Sequence, residues 1–224
     1  MTVDEQPPLP LGWQPRLGEA DFIVSDANRA AVEWLARPEA WPMPCCVIIG
    51  PPASGKSHLA GLVVARTGAM LIDDADRQVD GEPLFHAWNA ATPARPLLMT
   101  ARQMPRLWAH RLPDLGSRLA ATPQVMLSEP DDVLLAAVLT KRFADHGLRV
   151  ADEVIQWLAL RLERSFVAVG QAVEILDALS LAERRDITVP LARAALEQQL
   201  SLDLPSPLEA DLLHAHVDAG LRNR

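Results

Sequence analysis

Gly50-Pro51-Pro52-Ala53-Ser54-Gly55-Lys56-Ser57 decides how this chain is read. The stretch satisfies the phosphate-loop pattern G-x-x-x-x-G-K-[ST], and its flanks supply the context that pattern needs. Val47-Ile48-Ile49 before it reads as a short buried strand, and His58 to Arg66 after it reads as a helix. Glycines let the backbone curl so that successive amides and a helix N-terminus point at phosphate oxygens. Lys56 then reaches the β- and γ-phosphates, and the Ser57 hydroxyl holds Mg²⁺. Residues Gly50 through Ser57, with His58 beside them, are therefore the expected contacts of ADP or ATP.

Working outward, Leu71-Ile72-Asp73-Asp74 is an apolar strand ending in paired carboxylates, the natural second half of such a site. Asp73 is the candidate for the Mg²⁺ shell, and Asp74 for the position beside the γ-phosphate. Thr100 ends another strand, Leu97-Leu98-Met99-Thr100. Its hydroxyl either orients water near the γ-phosphate or simply terminates the strand. Arg118, in Leu115-Gly116-Ser117-Arg118-Leu119, reads on composition alone as a surface arginine.

Strands are expected at 45–49, 69–73, 96–100 and 124–127, separated by helices at 58–66, near 83–89 and around 107–120. Short apolar strands alternating with helices imply a three-layer αβα core around a parallel sheet of about four strands. A helix at 28–36 precedes them. Beyond residue 128 the pattern becomes purely helical. Asp131 or Asp132 caps a helix running to Asp145, with Gly147 as its stop. Asp152 opens a second to Leu162, Ser165 a third to about Glu183, and Thr188 a fourth. The expected organisation is an extended proline-rich arm (1–20), an αβα nucleotide domain (21–128), an α-helical lid (129–204) and a polar tail (205–224).

Composition narrows the function. The chain has 224 residues, 49% of them hydrophobic, without an apolar run of membrane-spanning length. No leader pattern is apparent, so a cytoplasmic protein is expected. The formal charge of −8 and the absence of tyrosine argue against a protein built to grip DNA or to stack single strands. Cys45 and Cys46 are neighbours on a buried strand, where they would point to opposite faces as reduced core thiols.

Further runs carry a resemblance: Leu84-Phe85-His86-Ala87-Trp88-Asn89, Leu98 through Arg102, Leu112 through Leu119, Pro130-Asp131-Asp132, Lys141 through Asp145, and Arg161 through Ser165. Together they resemble the AAA+ module of the bacterial replication initiator DnaA and its regulatory homologues of the Hda type, over about residues 10–197. The resemblance implies an AAA+ P-loop NTPase core followed by a helical lid. It places Asn28 at the adenine end of the nucleotide, Thr100 at the sensor position, and Arg118 as an arginine finger acting on a nucleotide held by a neighbouring subunit. A finger of that kind should be exposed and without a partner in its own chain.

Gln6-Pro7-Pro8-Leu9-Pro10-Leu11 resembles the peptide with which Hda docks on the DNA sliding clamp, through Gln6, Leu9 and Leu11. Gln199-Leu200-Ser201-Leu202 is a competing copy. Three departures from the family accompany the likeness. A DNA-binding helix-turn-helix is not expected after the bundle. Fifteen residues separate Ser57 from Asp73, so an edge strand-and-helix unit is missing. The family's second sensor arginine would fall near Ile175–Asp177, where no arginine stands.

The implied function is regulation of replication initiation. The partners would be the initiator and the sliding clamp, with DNA reached only through the clamp, no membrane, and a possible homo-oligomer. The chain's own hydrolysis would be weak. The rivals are a self-sufficient ATPase or small-molecule kinase, and a DnaC-type helicase-loading ATPase.

Overall fold

Strand β1 (Cys45–Ile49) forms the centre of a four-stranded parallel sheet with order β2-β3-β1-β4, where β2 is Met70–Ile72, β3 is Leu97–Ala101 and β4 is Gln124–Met126. The computed structural model describes Gly18 and residues 21–78, 80–108 and 113–203. All four expected strands are present, the first with the expected bounds and the others shortened or shifted by a residue at an end. Every residue of β1 and β3 is buried, as expected of parallel strands covered on both faces.

Period-two alternation divides the core. Cys46 and Ile48 face one layer, with Leu35 of α1 (Arg29–Leu35) and Leu59, Ala60 and Val63 of α2 (Lys56–Thr67). Cys45, Val47 and Ile49 face the other, with Leu84 of α3 (Glu82–Ala90) and Leu115 and Leu119 of α4 (Pro113–Ala121). The adjacent cysteines do point to opposite faces. Burial pushes the Cys45 thiol up to about 11 and the Cys46 thiol higher still, so both are protonated, inert core groups at neutral pH.

Because β2 pairs only with β3, one crossover through α2 carries the chain from the sheet centre to its edge. Among the described residues no strand lies outside β2. This is the missing edge unit that the short Ser57–Asp73 spacing implied.

The helix expected around 107–120 starts later, at Pro113. A 3-10 turn at Pro105–Leu107 is followed by α4 starting at Pro113. Proline opens a helix well but cannot continue one, so Pro113 marks a start rather than a middle.

Four helices follow the sheet: α5 (Asp132–Asp145), α6 (Asp152–Ala159), α7 (Phe166–Glu183) and α8 (Val189–Asp203). Asp131 caps α5 by accepting from the Leu134 amide at 2.7 Å, and Ser165 caps α7 by accepting from Val167 and Ala168. Gly147, at φ +75°, stops α5. Helix α6 ends at Ala159, three residues earlier than expected. The bundle has its own core, centred on Leu139 and Phe143 of α5, Leu158 of α6, Val173 of α7 and Ala192 of α8. No helix among the described residues is long and apolar enough to cross a membrane.

Candidate nucleotide-binding site

The phosphate loop joins the C-terminal end of β1 to α2 and has the backbone its sequence requires. Gly55 is left-handed at φ +84° and Ala53 at φ +59°. A Cβ on Gly50 would lie 2.8 Å from the Leu127 carbonyl oxygen, and one on Gly55 would lie 3.1 Å from the Phe22 ring. Close backbone approach therefore excludes a side chain at Gly50, and the left-handed backbone strains one at Gly55. Inside the loop the Ser54 hydroxyl is buried without a hydrogen-bond partner among the described residues.

Lys56 is buried, and its ammonium donates to the Pro51 carbonyl at 2.6 Å. Burial holds it below the ordinary lysine range, opposed most strongly by the Asp74 carboxylate. A phosphate placed here would favour the charged form. The Ser57 hydroxyl donates to Asp73 Oδ1 at 2.9 Å, so the two expected Mg²⁺ ligands meet. Thr100 Oγ1 donates to the same carboxylate oxygen and accepts from the Asp74 amide at 2.9 Å. The fully buried threonine thus ties β3 to the acidic turn. The Asp74 carboxylate leans towards Arg77 at 3.7 Å, and its backbone is left-handed at φ +48°.

Among the described residues no three metal-ligating side chains cluster. A Ser–Asp pair still fits Mg²⁺, which completes its shell with water and phosphate oxygens. The empty-handed Ser54 hydroxyl, the side-chain-free cradle and the buried Lys56 likewise fit a nucleoside di- or triphosphate.

A cleft of about 200 Å³ runs from this loop to the helical bundle. The core lines it with Phe22, Ile23, Asn28, the loop residues Ala53 to Gly55, and His58. The bundle lines it with Leu134, Val138, Lys141, Arg142 and Asp145 of α5 and Phe166 of α7. Asn28 stands in the cleft wall, but its amide is occupied by the local chain, accepting from the Ser25 amide and donating to the Ile23 carbonyl. These two bonds tie the residue to the loop 23–28. His58 contacts the Gly18 carbonyl at 3.1 Å and meets the Phe22 ring edge-on.

Two site features escaped sequence reasoning. Asp76 accepts from the Arg102 and Gln103 amides at 2.9 and 3.2 Å, joining the acidic turn to the segment after β3, while its other oxygen is buried without a partner among the described residues. Its spacing after Asp73-Asp74 was a usable signal. Lys141 bridges Asp145 and, at 3.7 Å, Asp21 of the core. Nothing in the local sequence announces that contact.

Arg118 corrects an expectation. Far from lacking a partner in its own chain, it pairs with Asp114 at 2.9 Å and donates to the Asn89 side-chain oxygen. Its guanidinium also lies 5.0 Å from the centres of both the Phe85 and Trp88 rings. The cause is helical spacing: Asp114 sits one turn before it on α4, and α3 presents Phe85, Trp88 and Asn89 on one face. The side chain is one-third exposed.

The expected location of the second sensor also shifts. Asp177 lies far along α7 and contacts His146 at 2.7 Å, whereas the cleft-lining end of α7 is its first turn at Phe166. No arginine stands in that turn either. Of the arginines just before it, Arg161 lies over the Trp157 ring and Arg164 pairs with Asp132. Gln6, Leu9 and Leu11 lie outside the described residues. Gln199, Leu200 and Leu202 fall on the backbone of α8, and their side chains are not described.

Residues 132–196 match the family model described as Hda, lid domain. The chain is 31% identical over 100 residues to an uncharacterized protein of Haemophilus influenzae, a match covering 45% of this chain and 43% of that protein. Among solved structures, domain III of the Thermotoga maritima replication initiation protein DnaA superposes with a TM-score of 0.68 at 16% identity, covering 83% of this chain and 98% of that one. The replication initiator DnaA bound to AMPPCP and single-stranded DNA gives 0.58 at 17%, covering 77% and 70%. The Thermotoga maritima RuvB Holliday junction branch migration motor gives 0.59 at 12%, covering 81% and 72%.

Proposed function

We propose that this chain, whose residues 132–196 match the Hda lid model and whose fold is DnaA-like, is a Hda/DnaA-related AAA+ protein and a cytoplasmic regulator that inactivates the replication initiator DnaA. The observation that carries this reading is the lid match on a DnaA-like core. In the proposal, adenine nucleotide (ADP or ATP) sits in the cleft and holds core and lid in one arrangement. Lys56 and the loop amides bind its phosphates, and Ser57 and Asp73 hold Mg²⁺, whose chemistry is to bridge and neutralise phosphate oxygens. Two of the structurally similar DnaA chains are bound to AMPPCP, which supports a nucleotide in the corresponding place.

Weak hydrolysis by this chain itself follows from its own residues. Thr100 is occupied by Asp73 and Asp74, and α7 offers the cleft no arginine in its first turn. The catalytic contribution is made in trans: Arg118 contacts the γ-phosphate of ATP held by the initiator and stabilises charge on the transferring phosphoryl group. Its pair with Asp114 is partly exposed, and such pairs contribute under about 1 kcal/mol. Exchange of Asp114 for a phosphate is therefore within reach. Gln6, Leu9 and Leu11, or alternatively Gln199, Leu200 and Leu202, dock on the sliding clamp. The clamp thereby brings the regulator to newly copied DNA without a DNA-binding surface of its own.

The test is turnover of DnaA-bound ATP on clamp-loaded DNA, with and without this protein. Stimulation is expected, with a loss of about 10³-fold or more for Arg118→Ala. Undiminished stimulation by that variant sinks the finger, and no stimulation at all sinks the function. Turnover by the protein alone would favour the self-sufficient ATPase. Deletion of residues 1–11 should abolish clamp binding; survival of binding transfers the role to Gln199, Leu200 and Leu202.

A further inference from the structure

The lid wall of the cleft carries two neighbouring cations with different fates. Lys141 is committed to Asp145 and to Asp21 of the core. Arg142, the next residue of α5, also lines the cleft and is half-buried, yet it has no hydrogen bond or ion pair with a side chain among the described residues. One of its terminal nitrogens lies 3.8 Å from the point where a Cβ on Gly170 would stand. The guanidinium therefore rests against α7 one turn from Phe166, which lines the same cleft. A half-buried guanidinium is poorly solvated and gains from an anionic acceptor. Asp145, the other charged group of α5 lining the cleft among the described residues, is already held by Lys141.

We propose that Arg142 is the lid's phosphate-contacting residue, reaching the di- or triphosphate of the bound nucleotide from α5. This rests on the reading of the cleft as a nucleotide site and adds the residue through which the lid meets the ligand. A guanidinium suits this role because its planar fork can pair two phosphate oxygens at once. The phosphate loop, with its hydroxyl at Ser54 and its ammonium at Lys56, forms the opposite wall. A diphosphate held between them is gripped by core and bundle together. Lys141 then keeps the bundle against the core whether or not ligand is present, and Arg142 responds to the ligand.

The experiment is ADP and adenosine binding to the full chain by displacement of a fluorescent nucleotide, for wild type, Arg142→Ala, Arg142→Lys, Arg142→Gln and Lys56→Ala, at low and moderate salt. Arg142→Ala and Arg142→Gln should weaken ADP binding about 10- to 100-fold, leave adenosine binding unchanged, and flatten the salt dependence. Arg142→Lys should recover part of the loss. The melting temperature of ligand-free Arg142→Gln should match wild type, separating contact from folding. Wild-type ADP affinity in both neutral variants, or an equal loss for adenosine, overturns the assignment. If wild type binds no ADP, or Lys56→Ala binds it as tightly, the nucleotide reading falls and this inference with it. If those two behave as expected and only the Arg142 variants do not, the inference alone falls.

Discussion

The two walls of the cleft are built on different terms. On the core wall almost every functional side chain is already bonded to its own chain: Lys56 to Pro51, Ser57 and Thr100 to Asp73, Asn28 to its loop. On the bundle wall the surface is mostly apolar; one cation is committed, and the other has no side-chain partner among the described residues. The difference teaches that the polar groups of the core wall are fixed in place by their own chain, whereas the bundle wall presents mostly apolar side chains to the cleft. Preassembled polar groups give a ligand its place, and an uncommitted group on a separately packed unit lets the ligand move or hold that unit.

If the two walls are separate constructions, they should fail separately. Phe143 is almost fully buried at the centre of the bundle's own core. Phe143→Ala should cost about 3–5 kcal/mol of bundle stability, measured by urea denaturation, with the sheet melting later. A single unchanged transition would join the walls into one unit.

Lys56→Met tests the other wall. It should weaken nucleotide binding by about 100-fold or more, a loss of about 2.7 kcal/mol, read by calorimetry. Ligand-free stability should hold or rise. The sign follows from the lowered lysine pKa. The folded protein gives up this proton before the unfolded chain does, so the buried charge opposes folding below the folded pKa. That penalty fades as pH rises through it towards the unfolded value. The gain in the methionine variant should therefore shrink at alkaline pH.

Two smaller substitutions sharpen the boundary. Asp131→Ala removes the cap of α5 and should cost about 1 kcal/mol, seen in the bundle transition of the same denaturation curve. Asp21→Asn removes the core end of the Lys141 bridge, worth under about 1 kcal/mol. It should appear only as faster amide exchange in α5, and more weakly at high salt. A large global loss would make the bridge a structural element of both walls.

Much of this was legible before any coordinates. The phosphate loop, four strands and bundle helices follow from period and punctuation. The buried runs Cys45–Ile49 and Leu97–Thr100, the caps at Asp131 and Ser165 and the stop at Gly147 are local signals. Ser57 and Asp73 were correctly paired because a phosphate loop and an acidic strand end must converge at the same edge of a parallel sheet. Arg118 was misjudged because its partners come from two helices. Asp114 is visible at a spacing of four, but Phe85, Trp88 and Asn89 lie about thirty residues away and meet it only when α3 and α4 cover one sheet face. Which turn of α7 meets the cleft, its first at Phe166 rather than Ile175–Asp177, is likewise not revealed by the sequence.

By itself, then, the sequence determined the nucleotide loop, the order of strands and helices, the helical caps and the short crossover from α2 to an edge strand. These depend on backbone preferences and spacing within a few turns of chain. Only the tertiary structure decided that Thr100 serves the acidic turn, that Asp76 supports the segment after β3, that Arg118 is held at home, and that Lys141 rather than Arg142 has a side-chain partner among the described residues. Hydrogen bonds and ion pairs are short-ranged and directional, so which groups are satisfied is settled only when distant elements come within about 3 Å of one another.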